Sequence, residues 1–274
     1  MDFKDLTCAA VSIESGVADV VLTATGKANR MGPDYWFQMP TLLSRLEADD
    51  AVRAIVIRGG EHFTYGLDLP AMGAELAQFL DPAAGAATRT KLLDAIRRLQ
   101  QANTAVARCR KPVIAAVSGW CIGGGVDLIT ACDIRLCSKD AKFSVREVRL
   151  AMVADVGTLA RLPPIVGQGV ARELAFTGDD FDAARALRIG LVSEVFPTPA
   201  ELIEAARALA SRIAKNPPLV VQGIKEVLNA GSEPAAAASL ATVALWNSAF
   251  LPSLDVQEAI GAFLEKREPQ FRGQ

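Results

Sequence analysis

The sequence predicts an α/β fold, and three observations carry that prediction. Short apolar strand-like runs alternate with amphipathic helical stretches, glycine-rich turns join strand to helix, and the chain beyond Arg149 is helical. At 274 residues and 51% hydrophobic composition the chain can bury a sizeable core, near the upper end of what one domain holds. A core domain over 1–200 and a C-terminal helical region over 201–274 are expected.

Taken in order, Ala9–Ile13 and Ala18–Ala24 read as strands on either side of a Ser15-Gly16 break, and Ala54–Arg58 as a third strand ending at Gly59-Gly60. Between the second and third, Trp36, Met39, Leu43 and Leu46 recur at helical spacing behind a Pro33-Asp34 start signal. Asp34–Leu46 is therefore a helix, which Pro40 is expected to kink or delay. Asp81–Gly85 is a loop, and Ala86–Cys109 is a long amphipathic helix stopped by Lys111-Pro112. Val113–Val117 follows as a buried strand, Gly119–Gly125 as a glycine-rich turn, Val126–Ala131 as a helix and Asp133–Cys137 as another strand. The helical remainder divides into Leu159–Arg161, Ala171–Phe176, Ala183–Ile189, Glu201–Lys215, Pro217–Ala230, Ala235–Phe250 and Asp255–Arg267. In Ala235–Phe250 the residues Leu240, Val243, Trp246 and Phe250 form an apolar stripe, which marks a packed helix and not a linker.

Lys and Arg total 29 and Asp and Glu 31, so the overall charge points to no polyanionic partner such as nucleic acid. The five cysteines (Cys8, Cys109, Cys121, Cys132, Cys137) are odd in number and form no CxxC pair. They point away from a disulfide framework or a zinc site and fit a reducing compartment. No apolar run approaches membrane-spanning length, Met1–Asp5 does not read as a targeting leader, and Phe271–Gln274 is not a peroxisomal tripeptide. A cytoplasmic protein without a membrane partner is the expectation.

Two segments suit a developing negative charge. Gly119-Trp120-Cys121-Ile122-Gly123-Gly124-Gly125-Val126-Asp127-Leu128 follows a buried strand and opens a helix. Consecutive glycines let backbone approach a ligand closely, and the first amides of a helix point outward at its positive end. An oxyanion can be held there; a tight strand-to-helix connection, needing glycine only for packing, reads equally well. Glu61–Leu69 repeats the pattern, with Gly66 after a strand and before a helix start.

Phe63-Thr64-Tyr65-Gly66-Leu67-Asp68-Leu69 resembles the first oxyanion segment of the crotonase (enoyl-CoA hydratase/isomerase) superfamily, Phe-x-x-Gly-x-Asp-[Leu/Ile]. Gly119–Leu128 followed by Cys132-Asp133-Ile134-Arg135 is similar to the second, in the same order and separation. The resemblance implies a crotonase-like ββα spiral core with a C-terminal helical trimerisation region, an acyl-CoA thioester substrate, and a homotrimer or homohexamer. It implies an oxyanion hole made by the N–H groups of Leu67 and Gly124, within segments that include Gly66, Asp68 and Gly123, while Tyr65 and Trp120 shape the acyl pocket. Coenzyme A contacts are implied for Lys27 and the backbone near Ala28, and for Phe263 and Lys266 in Phe263-Leu264-Glu265-Lys266-Arg267. That last stretch reads equally as a helix end with cations against the dipole. No metal or redox cofactor is implied, coenzyme A being part of the substrate.

Chemistry at a thioester α-carbon needs acids beside it, and the candidates are Asp127, Glu147 and Asp155. Asp127 and Glu147 match the two catalytic acids of enoyl-CoA hydratases, except that Asp127 stands where hydratases have Glu. Asp155 is an added carboxylate where hydratases usually have Pro-Gly-x-Gly. Arg146-Glu147-Val148 through Ala154-Asp155-Val156-Gly157-Thr158-Leu159-Ala160-Arg161-Leu162-Pro163 resembles the dienoyl-CoA isomerase branch, which moves 3,5-double bonds to the 2,4-positions in fatty acid β-oxidation. The resemblance implies that Glu147 works at C2 and Asp155 at C6, with the reverse open, and that Asp127 tunes the other two.

Each acid has a structural alternative: Glu147 as a surface ion pair with Arg146 or Arg149, Asp155 as the N-cap of a Gly157–Leu162 helix, Asp127 as a cap. His62, the single histidine, reads as structural beside Phe63. The competing functions are an enoyl-CoA hydratase (a lyase) and a crotonase-fold RNA-binding or scaffold protein; the retained acids and near-neutral charge weigh against the latter.

Overall fold

The computed structural model describes residues 3–23 and 28–274. A six-stranded sheet runs in the order β1 (Ala9–Glu14), β2 (Val17–Leu22), β3 (Ala54–Arg58), β4 (Val113–Val117), β6 (Ile134–Ser138) and β9 (Glu194–Phe196). A small second sheet is made of β5 (Trp120–Ile122), β7 (Lys142–Ser144) and β8 (Phe181–Asp182). β1 and β2 are an antiparallel hairpin, and the remaining pairings of the large sheet are parallel. The Ser15-Gly16 break is the hairpin turn, with both residues at positive φ (50° and 84°) as a tight two-residue connection between right-twisted strands demands.

Period-two alternation sorts the central strands onto two faces. Ile55 and Ile57 of β3 and Val113, Ala115 and Val117 of β4 point to one face, against α1 (Pro33–Ala48) and α3 (Ala86–Arg108). Ala54, Val56, Ile114 and Ala116 point to the other, where α8 (Pro199–Ala214) lays down Leu202, Ala206, Ala210 and Ala214. Alanines one turn apart let α8 approach the sheet closely. The other helices are α2 (Leu69–Ala77), α4 (Gly124–Ala131), α5 (Thr158–Val166), α6 (Gln168–Thr177), α7 (Ala183–Arg188), α9 (Pro218–Phe250) and α10 (Leu254–Glu265). Glu147–Leu150 is a single 3-10 turn.

The structure departs from the sequence expectation at several places, among them the short strands β8 and β9 in the stretch beyond Arg149 that reads as helical. The first helix starts at Pro33 and continues through Pro40 without delay. The Gly119–Gly125 turn contains the three-residue strand β5, too short to show a period. The two helices expected over 217–250 are one 33-residue helix, continuous through Gly231 and Pro234. Tertiary contact overrides the breakers: Asn229 Nδ2 donates to Ala107 O at 3.1 Å, and Arg108 pairs with Glu233 at 3.1 Å, so the end of α3 fastens the stretch that local propensity would interrupt. The buried stripe of α9 is also rotated from expectation. Leu240, Val243, Ala244 and Asn247 face inward, while Trp246 and Phe250 are exposed and pack on each other at 4.6 Å. Among the described residues no single helix is long and apolar enough to cross a membrane, and α10 leaves α9 at an 84° bend.

Candidate active site

Two backbone segments meet at the C-terminal ends of β3 and β4. Thr64 N–H donates to Trp120 O at 2.9 Å and Ile122 N–H to Thr64 O at 3.0 Å, so the chain after β3 runs beside β5. On its other side Met31 N–H donates to Gly66 O at 2.7 Å and Asp68 N–H to Met31 O at 3.0 Å. This parallel bridge leaves the N–H of Leu67 without a protein acceptor among the described residues. Gly124 opens α4, so its N–H has no intrahelical acceptor either. The two segments touch: a Cβ on Gly66 would stand 3.2 Å from Gly124 N and 2.6 Å from Ile122 O. Gly66 at φ +77° and Gly123 at φ +52° hold the backbone where a side chain would be strained.

Asp127, one turn into α4, is fully buried. Its Oδ1 accepts the N–H of Thr158 at 2.5 Å, capping the first turn of α5, and its Oδ2 is closed off without a hydrogen-bond partner. Glu147 opens the 3-10 turn, and its Oε1 lies 3.1 Å from where a Cβ on Gly123 would be, beside the oxyanion donor; its Oε2 is buried and unpartnered. The flanking arginines pair elsewhere, Arg146 with Asp180 and Arg149 with Asp179, so Glu147 is not a surface ion pair. Asp155 lies in the loop before α5, with Oδ2 accepting from Asn247 Nδ2 at 2.8 Å. The N-cap position of α5 is Gly157, so Asp155 is not that helix's cap.

Burial is the largest influence on all three carboxyls, and each is raised. Asp155 goes to about 6, with the Asn247 hydrogen bond working against burial. Asp127 rises to about 7; its bonds to Thr158 and the nearby Arg161 oppose burial, while Asp155 adds to it. Glu147 rises to about 8 through burial, then the charges of Asp127 and Asp155. Asp127 and Glu147 both feel the charge of Asp155, and Glu147 that of Asp127, so the buried Asp127 and the half-buried Glu147 and Asp155 are neighbours.

The other implied residues scatter. Asp68 caps α2, accepting from Ala71 N–H at 3.2 Å. Tyr65 and Trp120, half-buried, lie 6.0 Å apart ring to ring, with Lys142 and Arg146 over Trp120 at 5.3 and 5.8 Å. His62 Nδ1 accepts Trp120 N–H at 3.3 Å, a structural link between the two segments. Ala28 O accepts Tyr65 N–H at 3.1 Å, and Lys27 lies outside the described residues. Phe263 and Lys266 are exposed at the end of α10, Lys266 as its left-handed C-cap.

Sequence reasoning missed three amides. Asn103 Nδ2 donates to Val156 O at 3.2 Å, Gln100 Nε2 to Asp155 O at 2.7 Å, and Asn247 Nδ2 to Val153 O at 2.8 Å. The signal was present as polar residues inside the buried stripe Leu92, Ile96, Gln100, Asn103, Ala107 of α3.

Backbone N–H groups without protein acceptors beside a group of carboxylates form an arrangement that can hold a developing oxyanion and move protons next to it. The family model for enoyl-CoA hydratase/isomerase matches residues 12–274, and the chain belongs to that family. It is 42% identical over 270 residues, 98% of this chain and 97% of the relative, to a peroxisomal Delta(3,5)-Delta(2,4)-dienoyl-CoA isomerase of Arabidopsis thaliana. It is 44% identical to a mitochondrial protein of the same name from Dictyostelium discoideum, over 93% of this chain and 87% of that one. An enoyl-CoA hydratase/isomerase structure from Pseudoalteromonas atlantica T6c superposes with a TM-score of 0.83 at 25% identity, covering 97% of this chain and 100% of that one. These names correct the cytoplasmic expectation, since the relatives are peroxisomal or mitochondrial. Reduced cysteines and the lack of a recognised signal do not separate one reducing compartment from another.

Proposed function

We propose that the chain is a 3,5-to-2,4-dienoyl-CoA isomerase. The observation that carries this is a third carboxylate, the half-buried Asp155, tied to α9 through Asn247 and close enough to Glu147 for its charge to be felt there. The thioester oxygen accepts the N–H groups of Leu67 and Gly124. Glu147, beside Gly123, takes the C2 proton; the electron pair spreads along the conjugated chain to that oxygen; and Asp155 delivers a proton to C6. One C–H bond breaks and one forms, so the reaction needs no cofactor.

With values of about 6 and about 8, Asp155 and Glu147 share one proton across neutral pH. Before substrate binds, the proton favours Glu147. The forward reaction draws on the arrangement with the proton on Asp155, which has the same net charge and so the same pH window. The rate is expected to be bell-shaped, with limbs near those two values. Hydration fits less well, because Asp127 spends Oδ1 on Thr158 and its shorter side chain stands back from a water at the β-carbon.

Exposed Leu219, Val220, Ile224, Val227 and Leu228 on α9 support assembly as a trimer or a dimer of trimers, the surface such apolar residues would cover. Light scattering on the purified protein checks that mass.

The deciding experiment follows absorbance with a 3,5-dienoyl-CoA and, separately, a 2-enoyl-CoA, each with wild type and Asp155→Asn. Appearance of the conjugated 2,4-dienoyl thioester, lost in the variant, supports the isomerase. Efficient hydration that survives the substitution overturns it.

A further inference from the structure

Asn247 sits on the buried stripe of α9, only 2% exposed, and its Nδ2 has two acceptors at 2.8 Å each, Val153 O and Asp155 Oδ2. A backbone carbonyl only accepts, so Val153 dictates that the NH2 end of the amide, not its oxygen, faces the carboxylate. A donor aimed at a carboxyl oxygen favours the ionised form and opposes the protonated one. Gln100 and Asn103 hold the backbone of the same segment, Asp155 O and Val156 O, but make no bond to the carboxylate.

The charged surroundings of Asp155 give it no cation in compensation. Asp127 on α4 and Glu147 on the 3-10 turn are acids, α3 and α9 present the neutral Gln100 and Asn247, and Arg161 on α5 acts on Asp127. Among the described residues, Asn247 is the side chain whose hydrogen bond offsets the burial of Asp155.

We propose that Asn247 is a positioning residue that clamps the Asp155 carboxyl in one orientation, aimed at the far end of the acyl chain. The role rests on the isomerase reading, and it makes α9, remote in sequence from both oxyanion segments, part of the catalytic apparatus. Without the amide, Asp155 turns away from a single presentation, so proton delivery slows even though the carboxyl carries its proton to higher pH, while thioester binding at Leu67 and Gly124 is untouched.

The test uses the full chain as Asn247→Leu, which keeps the branching of the side chain and removes the donor, with Gln100→Leu as a comparison that loosens the same loop while leaving the carboxylate bond. Asn247→Ser serves if the leucine variant does not fold. Two readouts are taken: the pH–rate profile with a 3,5-dienoyl-CoA, and a carboxyl-13C NMR titration of Asp155. For Asn247→Leu the acid limb and the Asp155 titration are expected to rise together by about one pH unit, as loss of a hydrogen bond to a charged group implies. The kcat value falls about tenfold at unchanged KM, and Gln100→Leu leaves the acid limb in place. An unmoved limb in Asn247→Leu, or equal movement in both variants, overturns the proposal. If the wild type performs no isomerisation the functional reading fails, and the NMR titration still decides the role of Asn247.

Discussion

Gly66 shows how one residue type is dictated by the reaction geometry. Its φ of +77° and the 2.6 Å approach of Ile122 O to the missing Cβ mean that alanine there must push the 65–67 segment away from Gly124. The two donors would no longer converge, so Gly66→Ala is expected to lower kcat by about 10²–10³, the effect of losing one oxyanion donor. A variant with wild-type kcat in the steady-state assay would mean that Leu67 N–H is not a donor. The glycines and acids were legible in the sequence because each carries a local signature, a turn after a strand or an acid where another family member has none. The partners that orient them were not. Gln100, Asn103 and Asn247 look like ordinary polar positions on helices until packing turns them inward, since a helical period says which face is shared and not what that face meets. The nearest local clue, the Arg146 and Arg149 charges flanking Glu147, pointed to an ion pair, whereas the arginines reach across to Asp180 and Asp179 instead.

Among the elements, α9 was the one least readable from local propensity, because Gly231 and Pro234 argue for a break that contacts with α3 override. Its first half is anchored by a buried cation: Lys225 Nζ donates to Asp133 Oδ2 at 2.7 Å and to Lys111 O at 3.1 Å, and Asp133 Oδ2 also accepts Val113 N–H at 2.7 Å at the start of β4. Lys225 is buried whereas Asp133 reaches solvent, so Lys225→Ala loses charge-assisted hydrogen bonds and a packed stem without stranding a buried charge, and is expected to destabilise the fold by about 2 kcal/mol. Urea unfolding reads this directly, and a loss below about 1 kcal/mol would show the pair to be solvated. Lys225→Met, which keeps the stem and removes the charge, together with Asp133→Asn is expected to recover much of the loss. The same anchor bears on activity, since it fixes the course of the helix that carries Asn247 to Asp155. By contrast five of the six strands of the large sheet were legible, because buried strands keep a clean alternation of faces, as in Ala54, Ile55, Val56 and Ile57, whereas β9, three residues within a stretch that reads as helical, was not. The small sheet was hidden because three residues between glycines display no period.

For the whole molecule, gathering one buried and two half-buried acids at one site trades stability for function, and pH exposes the trade. Asp127, Glu147 and Asp155 all titrate above their ordinary values, so the native state binds their protons more tightly than the unfolded chain does. Their favourable contribution is therefore complete below about pH 4, where both states are protonated. It is lost as pH climbs through about 6, about 7 and about 8, where the native pocket must accept charge. Asp19 has the opposite sign: despite burial, its pairs with Arg58 and Arg207 hold it below the usual range, and its contribution disappears as the solution becomes acidic. Stability is thus expected to peak on the mildly acidic side of neutrality. Between pH 6 and 8.5 the melting temperature of the substrate-free protein should fall by at least about 3 °C, roughly what 1 kcal/mol amounts to for a chain of this size. The triple substitution Asp127→Asn, Glu147→Gln and Asp155→Asn, which keeps the volumes and removes the titrations, should flatten that decline and melt higher than wild type at pH 8.5. Calorimetry across the range compares the two curves. If the variant declines in parallel with wild type, the pocket is open to water when empty, and burial is not what raises the three acids.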